Sequence, residues 1–80
     1  MSNLKEMTDE QLIAAFQQGD ENAFVHLVDR YKDRLVNFVY RFINDMTDAE
    51  DLVQETFLKV YKKKHSYREI AKFSTWIYNV

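Results

Sequence analysis

The sequence predicts an all-α protein, a compact bundle of about four helices, in which two long antiparallel helices carry a short first and a short last helix. Three observations lead there. Apolar residues recur at steps of three and four along most of the chain. There is no proline and a single glycine, which nearly excludes turn-rich β architectures, since these use both residues repeatedly. An apolar share of 46% with 15% aromatic belongs to a folded globule rather than a disordered tail. Eighty residues make one domain, 1–80. A chain of that size buries only about 60% of its unfolded surface, so its core must be efficient.

The first helix starts at "TDEQ" (8–11), a capping box in which Thr8 caps and Gln11 reaches back to its amide. Leu12, Ile13 and Phe16 form its apolar face, and Gly19 is its stop. Asp20 caps the second helix, whose stripe is Phe24, Leu27, Val28, Tyr31, Leu35, Phe38, Val39, Phe42 and Ile43. That is a rod of about 22 residues and roughly 33 Å, ended by Asn44. "TDAE" (47–50) is a second capping box, with Thr47 as cap and Glu50 reciprocating. The third helix is expected to bury Ala49, Leu52, Val53, Thr56, Phe57, Val60 and Tyr61, and to run to about Lys64. "HSYREIA" loses the period and predicts a loop, while "KFSTWIYNV" regains helical character and stops in mid-pattern at Val80.

Several classes fall away on composition. Without cysteine there are no disulfides and no thiolate metal sites. No run approaches the roughly 18 apolar residues of a membrane span. The start "MSNLKEMTDEQ" lacks the basic and apolar segments of a signal peptide, so a cytoplasmic location is expected. The net charge of −2 hides a sorted distribution: residues 1–58 sum to −7 and residues 59–80 to +5.

A helical wheel at about 100° per residue places Leu58 opposite the apolar centre of the third helix, framed by Asp51, Gln54, Glu55 and Lys62. One exposed leucine is ordinary. One framed by polar residues three and four positions away has the shape of a helix-on-helix docking face. The macrodipole accounts for the acids in the first two turns, Asp48, Glu50 and Asp51, but less well for Gln54 and Glu55.

Further on, "KKKHSYREIAKFSTWIY" interleaves Lys62, Lys63, Lys64, Arg68 and Lys72 with Tyr67, Phe73, Trp76 and Tyr78. Cations that track phosphates beside rings that stack bases suit a single nucleic-acid strand. The competing reading is that the rings are core and the lysines a solvated helix end. Core suits Phe73 and Ile77, at i and i+4. Trp76 suits either reading. Tyr67 and Arg68, in the loop, are the expected exposed groups.

"DAEDLVQETFLKVYKK" followed by "KFSTWIYNV" resembles region 2 of a bacterial RNA polymerase sigma factor, and "AFVHLVDRYKDRLVNFVYRFIND" resembles the preceding helix of that domain. The short start "TDEQLIAAFQQGDENAF" and the compact loop resemble the extracytoplasmic-function group. The resemblance implies a transcription initiation factor, not an enzyme, with no cofactor. Asp51, Gln54 and Glu55, with Leu58 beside them, would dock on the coiled coil of the core polymerase β′ clamp. The segment from His65 to Val80 would open the promoter −10 element and hold its non-template strand with a base flipped into a pocket. Lys62, Lys63, Tyr67, Arg68, Lys72, Phe73, Ser74, Thr75 and Trp76 are the implied DNA-binding positions. An anti-sigma factor is a further candidate partner.

Two departures from the family pattern qualify this. Primary sigma factors carry a tryptophan pair where this chain has Asn79 and Val80, which implies weaker intrinsic melting and a stricter demand on the promoter. The −35-reading region 4 domain is not in these residues, so the chain reads as a fragment that should bind duplex DNA little by itself. Two other classes compete. A generic helical adaptor would use the Leu58 face without touching DNA. A small enzyme or metal protein would rest on His26 with Asp29, or on the carboxylates near residue 50, but helical metal sites draw several inward Glu and His from different helices.

Overall fold

Thr8 opens the first helix as expected. Its Oγ1 accepts from the Gln11 amide at 3.1 Å, and Gln11 Oε1 accepts from the Thr8 amide at 2.9 Å. The structure, a computed structural model, describes residues 4–68 and 72–79. Helix α1 spans Asp9–Gln17 and α2 spans Glu21–Ile43. Between them Gly19 takes φ +106°, a left-handed conformation that glycine adopts without steric cost. Asp20 caps α2 by accepting from the Asn22 amide at 3.0 Å. At its far end Asn44 is left-handed, at φ 53°, and its N–H donates to the Tyr40 carbonyl.

Helix α3 spans Met46–Lys62, and its start corrects one expectation. The cap is Asp45, extended at φ −135°, whose carboxylate accepts from the Asp48 amide at 3.0 Å. Thr47 already lies inside the helix. Asn44 turns the chain so tightly that Asp45 reaches the cap position first, and a carboxylate there also suits the helix dipole. A 3-10 turn at Leu4–Glu6 precedes α1, another at Lys64–Ser66 follows α3, and the five-residue α4 spans Phe73–Ile77. The expected all-α bundle is thereby shown, with no strand among the described residues.

Cross-contacts run in opposite order along α2 and α3, so the long pair is antiparallel. Glu21 and Phe24 meet Tyr61, while Val28 and Phe57 share one cleft and Val36 and Val53 the next. The core sits where α1 closes over this pair. Leu12, Ile13 and Phe16 are fully buried and join Ala23, Leu27, Tyr31, Leu35, Val53, Val60, Tyr67, Phe73 and Ile77.

Burial departs from the apolar pattern at two places. On α2, Phe38, Phe42 and Ile43 are exposed, because α1, at nine residues and about 14 Å, shields only the first half of a helix about 35 Å long. On α3, Leu52 and Tyr61 are also exposed, and Thr56 and Phe57 are half-buried. Only Ala49, Val53 and Val60 of α3 are buried, so its inward stripe is narrower than its apolar stripe.

Polar contacts brace α1. Asp9 Oδ1 accepts from Arg30 Nη1 at 3.0 Å, and Asp9 Oδ2 accepts from the Tyr31 hydroxyl. Arg30 Nη2 also donates to the carbonyls of Leu4 and Lys5, at 3.1 and 3.2 Å. Burial, then the neighbouring Asp9 carboxylate, pushes the Tyr31 phenol well above its ordinary range.

Candidate functional site

Two surfaces adjoin at the end of α3. The first is the outward face of that helix. Asp51, Gln54, Glu55 and Leu58 are all exposed, Leu58 by 58%, on the side away from Ala49, Val53 and Val60. Leu58 and Gln54 also line an apolar cleft of about 410 Å³ between α2 and α3, closed by Phe24, Val28, Phe57 and Tyr61. Tyr61, expected in the core, walls this cleft instead. Its ring packs against Phe16 and Phe24 at centroid separations of 5.3 and 5.2 Å, and its hydroxyl donates to Glu21 Oε1 at 2.8 Å. That hydrogen bond to a carboxylate raises the Tyr61 phenol above its ordinary value. Two of the four outward residues of α3, Gln54 and Leu58, therefore border an apolar recess, which a wheel of one helix does not show.

The second surface starts at the lysines. Lys62 and Lys63 are exposed. Lys64 is half-buried, with Nζ 4.4 Å from the centroid of the Phe16 ring, a cation–π contact that folds it onto the core. Arg68, Lys72 and Thr75 are exposed, and Ser74 and Trp76 are half-buried. Residues 69–71 of the expected loop, and Val80 of the departure from the tryptophan pair, lie outside the described residues.

Tyr67 corrects the expectation of an exposed loop ring, since it is only 5% exposed. It packs edge-on against Phe73 and Trp76 at 5.7 and 5.4 Å. Phe73 is fully buried, as its helical spacing with Ile77 suggested. Tyr67 and Phe73 thus form a floor beneath Trp76, rather than groups that a ligand would touch directly.

What holds this floor in place was not visible locally in the sequence. Gln17 Nε2, at the end of α1, donates to the Lys64 carbonyl at 2.6 Å and to the Tyr67 carbonyl at 3.4 Å. Glu10, at the start of α1, accepts from the Phe73 amide at 2.8 Å and so caps α4 from across the bundle. Both side chains bridge about 50 residues or more of sequence, and no spacing rule connects such partners. The lone signal was that Glu10 and Gln17 stand on the polar margin of a helix whose other face is fully buried.

Among the described residues no three His, Cys, Asp or Glu side chains converge in a way that would hold a metal ion. Among them, too, no helix is long and apolar enough to cross a membrane.

The bundle thus presents an acidic, leucine-bearing helix face followed by a basic, aromatic segment. The chain belongs to the Sigma-70 region 2 family, whose model matches residues 27–80. It is similar to the RNA polymerase sigma-H factor of Pseudomonas aeruginosa, at 35% identity over 96% of this chain. It is likewise similar to the ECF RNA polymerase sigma factor SigW of Bacillus subtilis and to the ECF RNA polymerase sigma-E factor of Haemophilus influenzae. Each of these is 37% identical, over 94% and 95% of the chain. The chain spans about 40% of the length of each of these relatives. Helix α1 precedes the matched segment, although it holds that segment's loop and last helix.

Proposed function

We propose that residues 1–80 are the region 2 unit of an extracytoplasmic-function sigma factor, acting in transcription initiation rather than as an enzyme. In this reading the unit works with RNA polymerase in the bacterial cytoplasm and leaves the −35 element to a separate region 4. Asp51, Gln54, Glu55 and Leu58 dock on the β′ clamp coiled coil. The basic and aromatic end takes the −10 non-template strand through Lys62, Lys63, Arg68, Lys72, Ser74, Thr75 and Trp76, with Tyr67 and Phe73 beneath as support. An anti-sigma factor, where the organism has one, would compete for the same surfaces.

The observation that carries this reading is the division of α3. Within the segment matched to the family, a helix keeps Ala49, Val53 and Val60 buried while four polar and apolar residues on the other side remain exposed. The deciding test is co-purification with core polymerase. Asp51→Lys and Glu55→Lys combined with Gln54→Ala are expected to abolish binding while far-ultraviolet circular dichroism stays unchanged. Retention of core binding by this variant would remove the docking face from the proposal.

The adaptor reading finds its support in the apolar cleft beside Leu58, which suits a protein partner irrespective of DNA. Strand binding separates the two. Arg68→Ala with Lys72→Ala should spare polymerase binding and impair promoter opening, and the affinity for a −10-like single strand should fall steeply with salt. An adaptor would show neither effect.

A further inference from the structure

The candidate strand surface does not end with α4. Tyr78, directly after that helix, packs edge-on against Phe38 of α2 at a centroid separation of 5.0 Å. Below the two rings lies a cleft of about 290 Å³ lined by Arg34, Asn37, Phe38, Arg41 and Tyr78. The four α2 residues stand at i, i+3, i+4 and i+7, so they share one helix face. Both rings remain substantially open, Phe38 by 41% and Tyr78 by 38%.

The arginines are available to a ligand. Among the described residues neither Arg34 nor Arg41 pairs with a carboxylate, in contrast to Arg30, which is held by Asp9. The Arg34 guanidinium lies 5.2 Å from the Tyr31 ring centroid, which limits its orientations without neutralising it. Two uncompensated guanidiniums one turn to either side of an aromatic ring, with an amide between them, match a phosphate and a base together. An acidic peptide would use the cations and leave the open rings without a role.

We propose that this cleft is a subsite for one nucleotide of single-stranded nucleic acid, with the phosphate on Arg34 and Arg41 and the base against Phe38 and Tyr78. The proposal rests on the strand-binding reading above and extends it from α4 onto α2. Helix α4 rises about 7.5 Å over its five residues, about the length of two stacked nucleotides at 3.4 Å each. A strand lying along Lys72 and Trp76 therefore arrives at the cleft one or two nucleotides later. The volume suits a single nucleotide and is below that of most drug-sized pockets.

The test uses the chain assembled with core polymerase, core polymerase alone as background, and a mixed-sequence single-stranded DNA of about 12 nucleotides followed by fluorescence anisotropy. Arg41→Gln and Tyr78→Ala are each compared with wild type. Arg41 makes no contact with the buried Tyr31, so its loss tests the subsite without disturbing the core. Each variant is expected to bind at least about fivefold more weakly, the low end for one stacked base. Arg41→Gln should also flatten the log–log salt slope by about 0.7, the share of one phosphate on a single strand. Wild-type affinity in both variants, together with a loss in Arg68→Ala Lys72→Ala, would overturn the subsite and leave the strand-binding reading standing. Absence of any DNA binding above background in wild type would overturn both. Equal competition by poly-glutamate at matched charge would assign the cleft to acidic polypeptides and overturn the nucleotide proposal.

Discussion

Asp9 joins three parts of the chain through its two carboxylate oxygens. One accepts from Arg30, whose other nitrogen holds the Leu4 and Lys5 carbonyls, and the other accepts from the buried Tyr31. Removing the Tyr31 hydroxyl leaves one oxygen of a partly buried carboxylate without its donor. Tyr31→Phe should therefore cost about 1–2 kcal/mol, near the lower part of the range for hydrogen bonds to charged groups, because Arg30 still pairs with Asp9. The raised phenol also sets a pH dependence. A folded-state pKa above the unfolded value means the native state holds its proton more tightly. The stabilisation is complete below about pH 10, the ordinary phenol value, and declines as pH rises beyond it. Urea melts at neutral pH and above pH 10 should show the gap between wild type and Tyr31→Phe shrinking at the alkaline end. A constant gap would mean that the proton plays no part in that contact.

At the scale of elements, α1 supports the proposed strand surface without belonging to it. Glu10 caps α4 and Gln17 grips the turn before Tyr67, so each end of α1 fixes one end of the Tyr67–Phe73–Trp76 cluster. Glu10→Ala should cost about 1 kcal/mol, typical of a lost helix cap, and should speed hydrogen exchange at the amides of α4 selectively. Uniform exchange changes over the whole bundle would instead make Glu10 a general stabiliser. Such pairings also mark where the sequence was legible and where it was not. The 3.6-residue period exposed the helices. The Thr8 and Asp20 caps were readable because capping partners lie within three residues. The outward position of Leu58 followed from the wheel. Thr47 lost its cap role to Asp45 because two adjacent candidates differ only in where the preceding turn delivers them. Tyr67 was misplaced because an aperiodic loop carries no signal of which way its rings point. Its burial depends on Phe73 and Trp76 and on a glutamine 50 residues away.

For the whole molecule, the question is which residues make a self-sufficient fold. The family match begins at residue 27, within α2, yet α1 contributes three of the fully buried side chains at the centre of the bundle. Leu12, Ile13 and Phe16 are at 0% exposure, and burying each such side chain is worth about 1.5–3 kcal/mol. Together they supply about 5–9 kcal/mol, against a total stability of about 5–15 kcal/mol for a typical domain. Without α1, the apolar sides of Leu27, Tyr31, Phe73 and Ile77 would face water, and the contacts of Gln17 and Glu10 would vanish with it. A chain of residues 27–80 should therefore lack a cooperative thermal transition and retain only part of its helicity, whereas residues 1–80 should melt in a single step. Circular dichroism melts of the two chains at equal concentration make the comparison. A sharp transition in the shorter chain would mean that α2, α3 and α4 close a core among themselves, and that α1 serves only to position the loop.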